Sequence, residues 1–524
     1  MGLPEADTYD LPVDSNYVNA LKPYCDSITY VSRWLNAACI YFPQNNLLAI
    51  QNLPFVAGIE MSRYETKICT GTENLSDLHH GQINLLKGQT DRMKASAFKK
   101  ANLTGKGVTV AIIDAGFTGY TKNSLLRSVR ANNQIKHTWD FVRKSPNVDH
   151  GSTHGTAVLS CIAGKIDSVY MGCAYDADIL LYRTEKGFNE KFSEEEYWMA
   201  AVEMADKHGA QIINTSLGYN ERRYFQKDMD GKKSLLSRAA NIASRKGILV
   251  VCSAGNEGDI DWKIICTPAD ADSALTVGAI NPWTGIQASW SSFGPSADKR
   301  MKPNVAAYGY VMAADAGDGI YETLGTSFSS PLVAGFAACV RQLNPGITAY
   351  ALLKKIELSA DLYPYYDYAH GYGVPQADFI LNDTNKRVYD TAIFTKPTFE
   401  IVFDKDSILQ VILSTDAYVP AFIPVRGYYT LPADSMNQYT SYEGNDYKSS
   451  VHFYDEWLAS TEISSLFTTE PGYFYYNITL DGEDYLDEYC VINVRQKEIL
   501  RLRKSFPQKT YTFHYRGYTK TIQF

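Results

Sequence analysis

The 524-residue sequence predicts an α/β protein built on a doubly wound, mostly parallel sheet, with a small α+β unit before it and a β-sandwich-like domain after it. Three observations carry this. Apolar runs of strand length alternate with segments of helical period between Val108 and Val340, as a parallel sheet covered on both faces requires. Mixed apolar clusters occupy a short unit before that region, and period-2 segments rich in Tyr follow Asp383. The expected domains span residues 1–92, 93–385 and 390–524.

In the first unit, Ile28–Val31, Ala37–Tyr41, Leu47–Ile50 and Phe55–Ile59 read as strands and a short helix, followed by the polar stretch Thr70–Gln82. In the middle, Val108–Ile113, Ile179–Tyr182, Gln211–Asn214, Ile248–Cys252 and Ala274–Ile280 read as buried strands. Ser193–His208 reads as a helix opened by a Ser193/Glu196 capping box and closed by Gly209, and Ser234–Lys246 as a second closed by Gly247. In the last domain, Phe399–Phe403, Ile408–Leu413, Tyr473–Leu480, Tyr489–Val494 and Thr510–Tyr515 alternate like half-buried antiparallel strands.

Lys plus Arg is 50 against Asp plus Glu at 58, a net charge of −8 spread without blocks, so nucleic acid is not an expected partner. No stretch reaches the ~18 uninterrupted apolar residues of a membrane span. Nine cysteines without a C-x-x-C pair fit neither a disulfide framework nor a zinc site. Cys25, Cys39, Cys161, Cys173 and Cys339 sit among apolar or small residues and read as buried, inert thiols. Met1–Asp7 has neither the basic nor the apolar part of an export signal, so the chain either stays inside the cell or is a form without that signal.

Chemistry concentrates at the expected carboxyl ends of the middle strands, where open α/β sheets place their sites. Ala111–Gly116 delivers Asp114 at the end of a buried strand. His154-Gly155-Thr156 opens a run of small and apolar residues suited to a packed helix. Gly325–Pro331 places Ser327 at the start of a buried helix, with Pro331 expected in the first turn. Ser253-Ala254-Gly255-Asn256 follows another strand and offers an amide donor. A serine hydroxyl attacks a carbonyl only when an imidazole takes its proton and a carboxylate holds that imidazole's tautomer, so Asp, His, Ser and Asn together suit nucleophilic acyl transfer.

With D-x-G, H-G-T, S-A-G-N and G-T-S-x-S-S-P in this order, residues 93–384 resemble the subtilisin-like serine proteases, or subtilases. The resemblance implies Asp114 as orienting acid, His154 as general base and acid, Ser327 as nucleophile and Asn256 as oxyanion donor with the Ser327 N–H. It further implies Ser216, Leu217 and Gly218 as one substrate-binding wall and Ser253, Ala254 and Gly255 as the opposite one. The chain departs from the family pattern at Ala115, where Ser or Thr commonly supports the acid, and at Ala157, where a second histidine is frequent. Gly164–Tyr170 is short where relatives carry a calcium loop, so neither a metal nor another cofactor is expected. Cys266 aligns with a lining of the specificity pocket; it either narrows that pocket, bridges to Cys252, or is, like Cys252, a free buried thiol.

The N-terminal unit resembles the latter part of a subtilase propeptide, through Ser32–Ala38 and Leu53–Glu60. Together with Tyr182-Arg183-Thr184-Glu185, this pattern resembles the subtilases of Bacteroidetes-type bacteria, which are generally exported. The resemblance implies a secreted, periplasmic or cell-surface endopeptidase of polypeptide substrates, inhibited by its own prosegment. The alternative is a non-catalytic binding or assembly protein kept inactive by that prosegment. The C-terminal domain reads as structural support, with carbohydrate or protein binding and secretion sorting as its other roles.

Overall fold

The computed structural model describes residues 8–60, 80–166, 169–186, 193–220, 224–282, 285, 287–363 and 366–382, and beyond them strand residues 399–403, 408–413, 471–480, 483–493, 499–503, 509–515 and 518–523. Strands β1 (Ser27–Ser32) and β2 (Ala37–Tyr41) form an antiparallel hairpin in the N-terminal unit. The central sheet contains β3 (Thr109–Asp114), β4 (Ile135–Asp140), β5 (Asp178–Arg183), β6 (Ile212–Thr215), β7 (Leu249–Ser253), β8 (Leu275–Ile280) and β9 (Val305–Tyr308). These run parallel in the order β9-β8-β7-β6-β3-β5-β4, so the sheet is the doubly wound one expected.

Side chains alternate across this sheet into two cores. Val110 and Ile112 of β3 join one cluster with Val158 and Leu332, while Ala111 and Ile113 join the other with Trp198 and Leu236. The first face is covered by α1 (His80–Asp91), α2 (His154–Ala163) and α5 (Thr326–Leu343), the second by α3 (Ser193–Lys207) and α4 (Leu235–Arg245). On α3, Trp198, Val202 and Ala205 recur at helical spacing to make the buried stripe. The glycines expected to close α3 and α4 do so in left-handed conformation, Gly209 at φ 74° and Gly247 at φ 89°.

Several expectations change. Ser193 is the first helical residue, not the cap; its hydroxyl accepts from Lys186 Nζ at 2.8 Å. Phe55–Ile59 has no regular structure. Helix α1 starts inside the polar stretch and buries Leu85 and Leu86 in the central core, so residues 80–91 pack with the sheet domain. Pro331 stands at the sixth position of α5 rather than in its first turn. Strands β4 and β9 lie at the two edges of the sheet, where β4 carries the polar run Lys136-His137-Thr138 that a half-exposed strand tolerates.

The N-terminal hairpin docks on α3. Glu203 Oε1 accepts from Ser32 Oγ at 2.6 Å and from Trp34 N at 3.4 Å; Arg33 Nη2 donates to Asp206 Oδ2 at 2.8 Å; and Trp34 is buried among the second core. Lys246 and Arg33 both contact Asp10, at 2.8 and 3.2 Å, closing a ring of charges around the joint. Past residue 398 the described strands form two antiparallel sheets, one of three strands and one of four, and the five C-terminal segments expected to be extended fall on them, except that Val494 lies outside the described residues.

Candidate active site

Strand β3 ends in Asp114, which is fully buried. Its Oδ1 accepts from Ala115 N and from His154 Nδ1, both at 2.8 Å. His154 opens α2, its backbone N–H donating to Ser152 Oγ at 3.1 Å. A carboxylate at Nδ1 places the imidazole proton there and leaves Nε2 as the basic lone pair. Asp114 Oδ2 and His154 Nε2 are buried and have no hydrogen-bond partner among the described residues.

Ser327 is the second residue of α5, after Gly325 at φ 140°, a backbone geometry that favours glycine. Its Oγ donates to Ser216 O at 3.2 Å, and Ser216 Oγ returns a bond to Ser327 O at 2.7 Å. Pro331 explains the second bond. Without an N–H it cannot take up the carbonyl four residues earlier, which is that of Ser327, and the Ser216 hydroxyl does so instead. The next residue, Phe328, lays its ring 5.4 Å from that of His154.

Asn256 is oriented by a residue that sequence reasoning did not single out. Its Oδ1 accepts from Thr326 N at 2.9 Å and lies 2.9 Å from Thr326 Oγ1, which also takes Gly255 N at 3.2 Å. With the amide oxygen tied to the start of α5, the Nδ2 donor lies on the opposite side, 3.5 Å from where a Cβ on Gly325 would stand. Thr326 belongs to the same G-T-S frame as Ser327, so the signal was present in the sequence.

Ser216–Gly218 and Ser253–Gly255 flank the segment Cys266-Thr267. Tyr219 and Thr267 exchange backbone hydrogen bonds at 2.9 and 3.2 Å, and Cys266 N donates to Ala254 O at 3.0 Å. A Cβ on Gly218 would meet Cys266 Cβ at 3.1 Å, and one on Gly255 would meet Cys266 Sγ at 2.8 Å. The Cys266 thiol therefore occupies the space between Gly218 and Gly255, where it donates to Glu257 Oε2 at 3.1 Å. Cys266 and Cys252 form no disulfide, and burial pushes the Cys252 thiol up to about 12, leaving it inert.

Beside Tyr219 lies buried Glu185. Tyr219 Oη and Thr184 Oγ1 donate to its Oε1 at 2.7 and 3.0 Å, yet burial outweighs them and pushes its carboxyl above the usual range. At the far side of Asp114, Arg183 donates from Nη1 to Asp140 Oδ2 at 2.8 Å and from Nε to Ala115 O at 3.1 Å. No local motif marks this pair, because Arg183 and Asp140 lie on different strands and Ala115 stands just past the end of a third.

The family model described as the subtilase family of peptidase S8 matches residues 105–373, and the model described as the peptidase S8 propeptide domain of Bacteroidota matches residues 3–76. Subtilisin BL of Lederbergia lenta is 30% identical over 260 residues, covering 48% of this chain and 83% of its own length. Alkaline elastase YaB of Bacillus sp. (strain YaB) is 29% identical over 260 residues; the match spans 49% of this chain and 60% of the elastase. Among solved structures, MycP1 from Mycobacterium smegmatis aligns at a TM-score of 0.47 and 24% identity, over 60% of this chain and 89% of that one. No helix among the described residues is long and apolar enough to cross a membrane. With more than half of its length matched and a propeptide domain preceding that match, the chain belongs to the subtilase family of peptidase S8.

Proposed function

We propose that this protein is a serine endopeptidase that cleaves extended polypeptide segments through an acyl-enzyme. The observation that carries the reading is the 2.8 Å bond from His154 Nδ1 to buried Asp114, which leaves Nε2 as an unengaged base on the helix that packs against the one bearing Ser327. Ser327 turns its hydroxyl from Ser216 O to His154 Nε2 and attacks the scissile carbonyl as the imidazole takes its proton. Asn256 Nδ2 and the Ser327 N–H steady the oxyanion; removing one such donor typically costs on the order of 10²- to 10³-fold in rate. His154 then protonates the leaving amine and activates water for deacylation, and Asp114 stabilises the imidazolium in both steps.

The chemistry needs no cofactor. Ser216, Leu217 and Gly218 pair with the substrate backbone on one side of the specificity slot, and Ser253, Ala254 and Gly255 line the other. The N-terminal domain, anchored through Glu203 and Asp206 of α3, acts as an intramolecular inhibitor until it is cut away. The protein works outside the cytoplasm, in the periplasm, at the cell surface or in the medium.

A fluorophosphonate probe tests this. The protein is labelled beside Ser327→Ala, before and after cleavage between residues 65 and 95. Labelling that appears on cleavage and vanishes in the variant is the expected result; no labelling after removal of the N-terminal domain would instead favour a non-catalytic binding or assembly protein.

A further inference from the structure

Three strand ends stand in one row at the carboxyl edge of the sheet. Asp114 of β3 is in register with Arg183 of β5, and Arg183 with Asp140 of β4. Residues in register on neighbouring strands project to one face, so the row places a cation between two carboxylates. All three are buried, with Asp114 and Asp140 at 0% exposure and Arg183 at 6%. A histidine closes each end: His154 Nδ1 lies 2.8 Å from Asp114 Oδ1, and His150 Nε2 lies 3.1 Å from Asp140 Oδ2.

The guanidinium is directed away from Asp114. It bonds Asp140 through Nη1 and the Ala115 carbonyl through Nε, and Ala115 N in turn donates to Asp114 Oδ1. Asp140 is held by Val142 N and Arg143 N at 2.8 and 3.0 Å, both on its Oδ1. The fork runs against the backbone of Gly151, where a Cβ would stand 2.6 Å from Arg183 Nε; Gly151 is at φ 83° and lies three residues before His154.

We propose that Arg183, paired with Asp140, is a positioning residue for the Asp114–His154 couple. Its Nε fixes the Ala115 carbonyl, and with it the turn whose N–H orients the Asp114 carboxylate. Asp140 neutralises the guanidinium so that Asp114, one strand away, stays with His154. This support replaces the side-chain hydrogen bond that Ala115 cannot give. The proposal rests on the catalytic reading above for its effect on turnover, but its electrostatic half does not. Among the described residues, Glu185 and Tyr321 also feel Asp114, which favours the protonated form of each, and the ring of Phe328 faces His154 without charge.

The two halves separate by sign. Arg183→Met leaves the anion of Asp140 beside the couple and favours protonated His154; Asp140→Asn frees a cation and disfavours it. The double variant carries neither charge, so the electrostatics return while the Ala115 carbonyl still lacks its donor. The test is a histidine-resolved NMR titration of the full chain bearing Ser327→Ala, with the His154 signal assigned by His154→Gln, and steady-state kinetics of the same substitutions in the Ser327 protein.

The expected result is a His154 midpoint moved up in Arg183→Met and down in Asp140→Asn, each by about half a pH unit or more, and near the parent value in the double variant. The double variant's kcat falls by about tenfold with KM within about twofold. Equal midpoints in all forms, shifts of one sign, or a parental kcat in the double variant would overturn the proposal. Should Arg183→Met fail to fold for want of the guanidinium beside buried Asp140, Asp140→Asn and the double variant decide the question. A parent protein that hydrolyses nothing would sink the catalytic reading alone, because the titration is read without turnover.

Discussion

Thr326→Val is the most informative single change at the proposed oxyanion side of the site. It keeps the shape of a fully buried side chain and the backbone N–H that reaches Asn256 Oδ1 at 2.9 Å. It removes the hydroxyl that lies 2.9 Å from the same oxygen and the acceptor of Gly255 N. Complete loss of an oxyanion donor costs roughly 10²- to 10³-fold, or about 3–4 kcal/mol; losing one of the two Thr326 tethers should forfeit under half of that, about 1.5 kcal/mol, near tenfold in kcat with KM little changed. The unpartnered Gly255 N–H costs a further ~1–3 kcal/mol of stability, visible as a lower Tm. Kinetics are run on Thr326→Val, Asn256→Leu and the pair. Because Thr326 acts through Asn256, adding Thr326→Val to Asn256→Leu should cost little more in kcat. Full additivity of the two effects, or a kcat within twofold of the parent for Thr326→Val alone, would refute the assignment of Thr326 as the holder of the donor.

Two further outcomes follow from the same geometry. With its thiol set between Gly218 and Gly255, Cys266 should restrict the residue before the scissile bond to small side chains; Cys266→Gly should raise kcat/KM for Phe relative to Ala at that position by about tenfold or more, read on a panel of peptide anilides. The Glu185 carboxyl is raised in the folded state, so folding takes up a proton there; its contribution to stability is full below the unfolded value near 4.5 and is lost as pH rises through the folded value. Glu185→Gln keeps an acceptor for Tyr219 and Thr184, and its Tm should therefore fall less than the parent's as pH is raised above that point.

Much of the fold could be read locally. Strands β3, β5, β7 and β8 carry apolar runs and β6 opens on Ile212-Ile213, and such runs are a property of the segment itself. Strand β4 escaped because an edge strand keeps polar residues on its open side, and β9 because Ala306 and Ala307 give it little strand propensity. Helix α1 was not read because it begins inside the polar stretch that ends at Gln82; among the described side chains, Leu85 and Leu86 mark the face it buries in the core.

The sequence by itself determined which residue types reach the carboxyl edge of the sheet, and in what order, because strand and helix periods and the glycines that end them act over a few residues. Tertiary structure alone decided which partner each polar group takes. The Ser327 hydroxyl rests on Ser216 O, Thr326 holds the Asn256 amide, and Arg183 turns to Asp140 rather than to Asp114, each across dozens to more than a hundred positions of chain. A buried polar group must find a partner among whatever the fold brings within about 3 Å, and that set is fixed by strand register and helix packing, which no local pattern encodes.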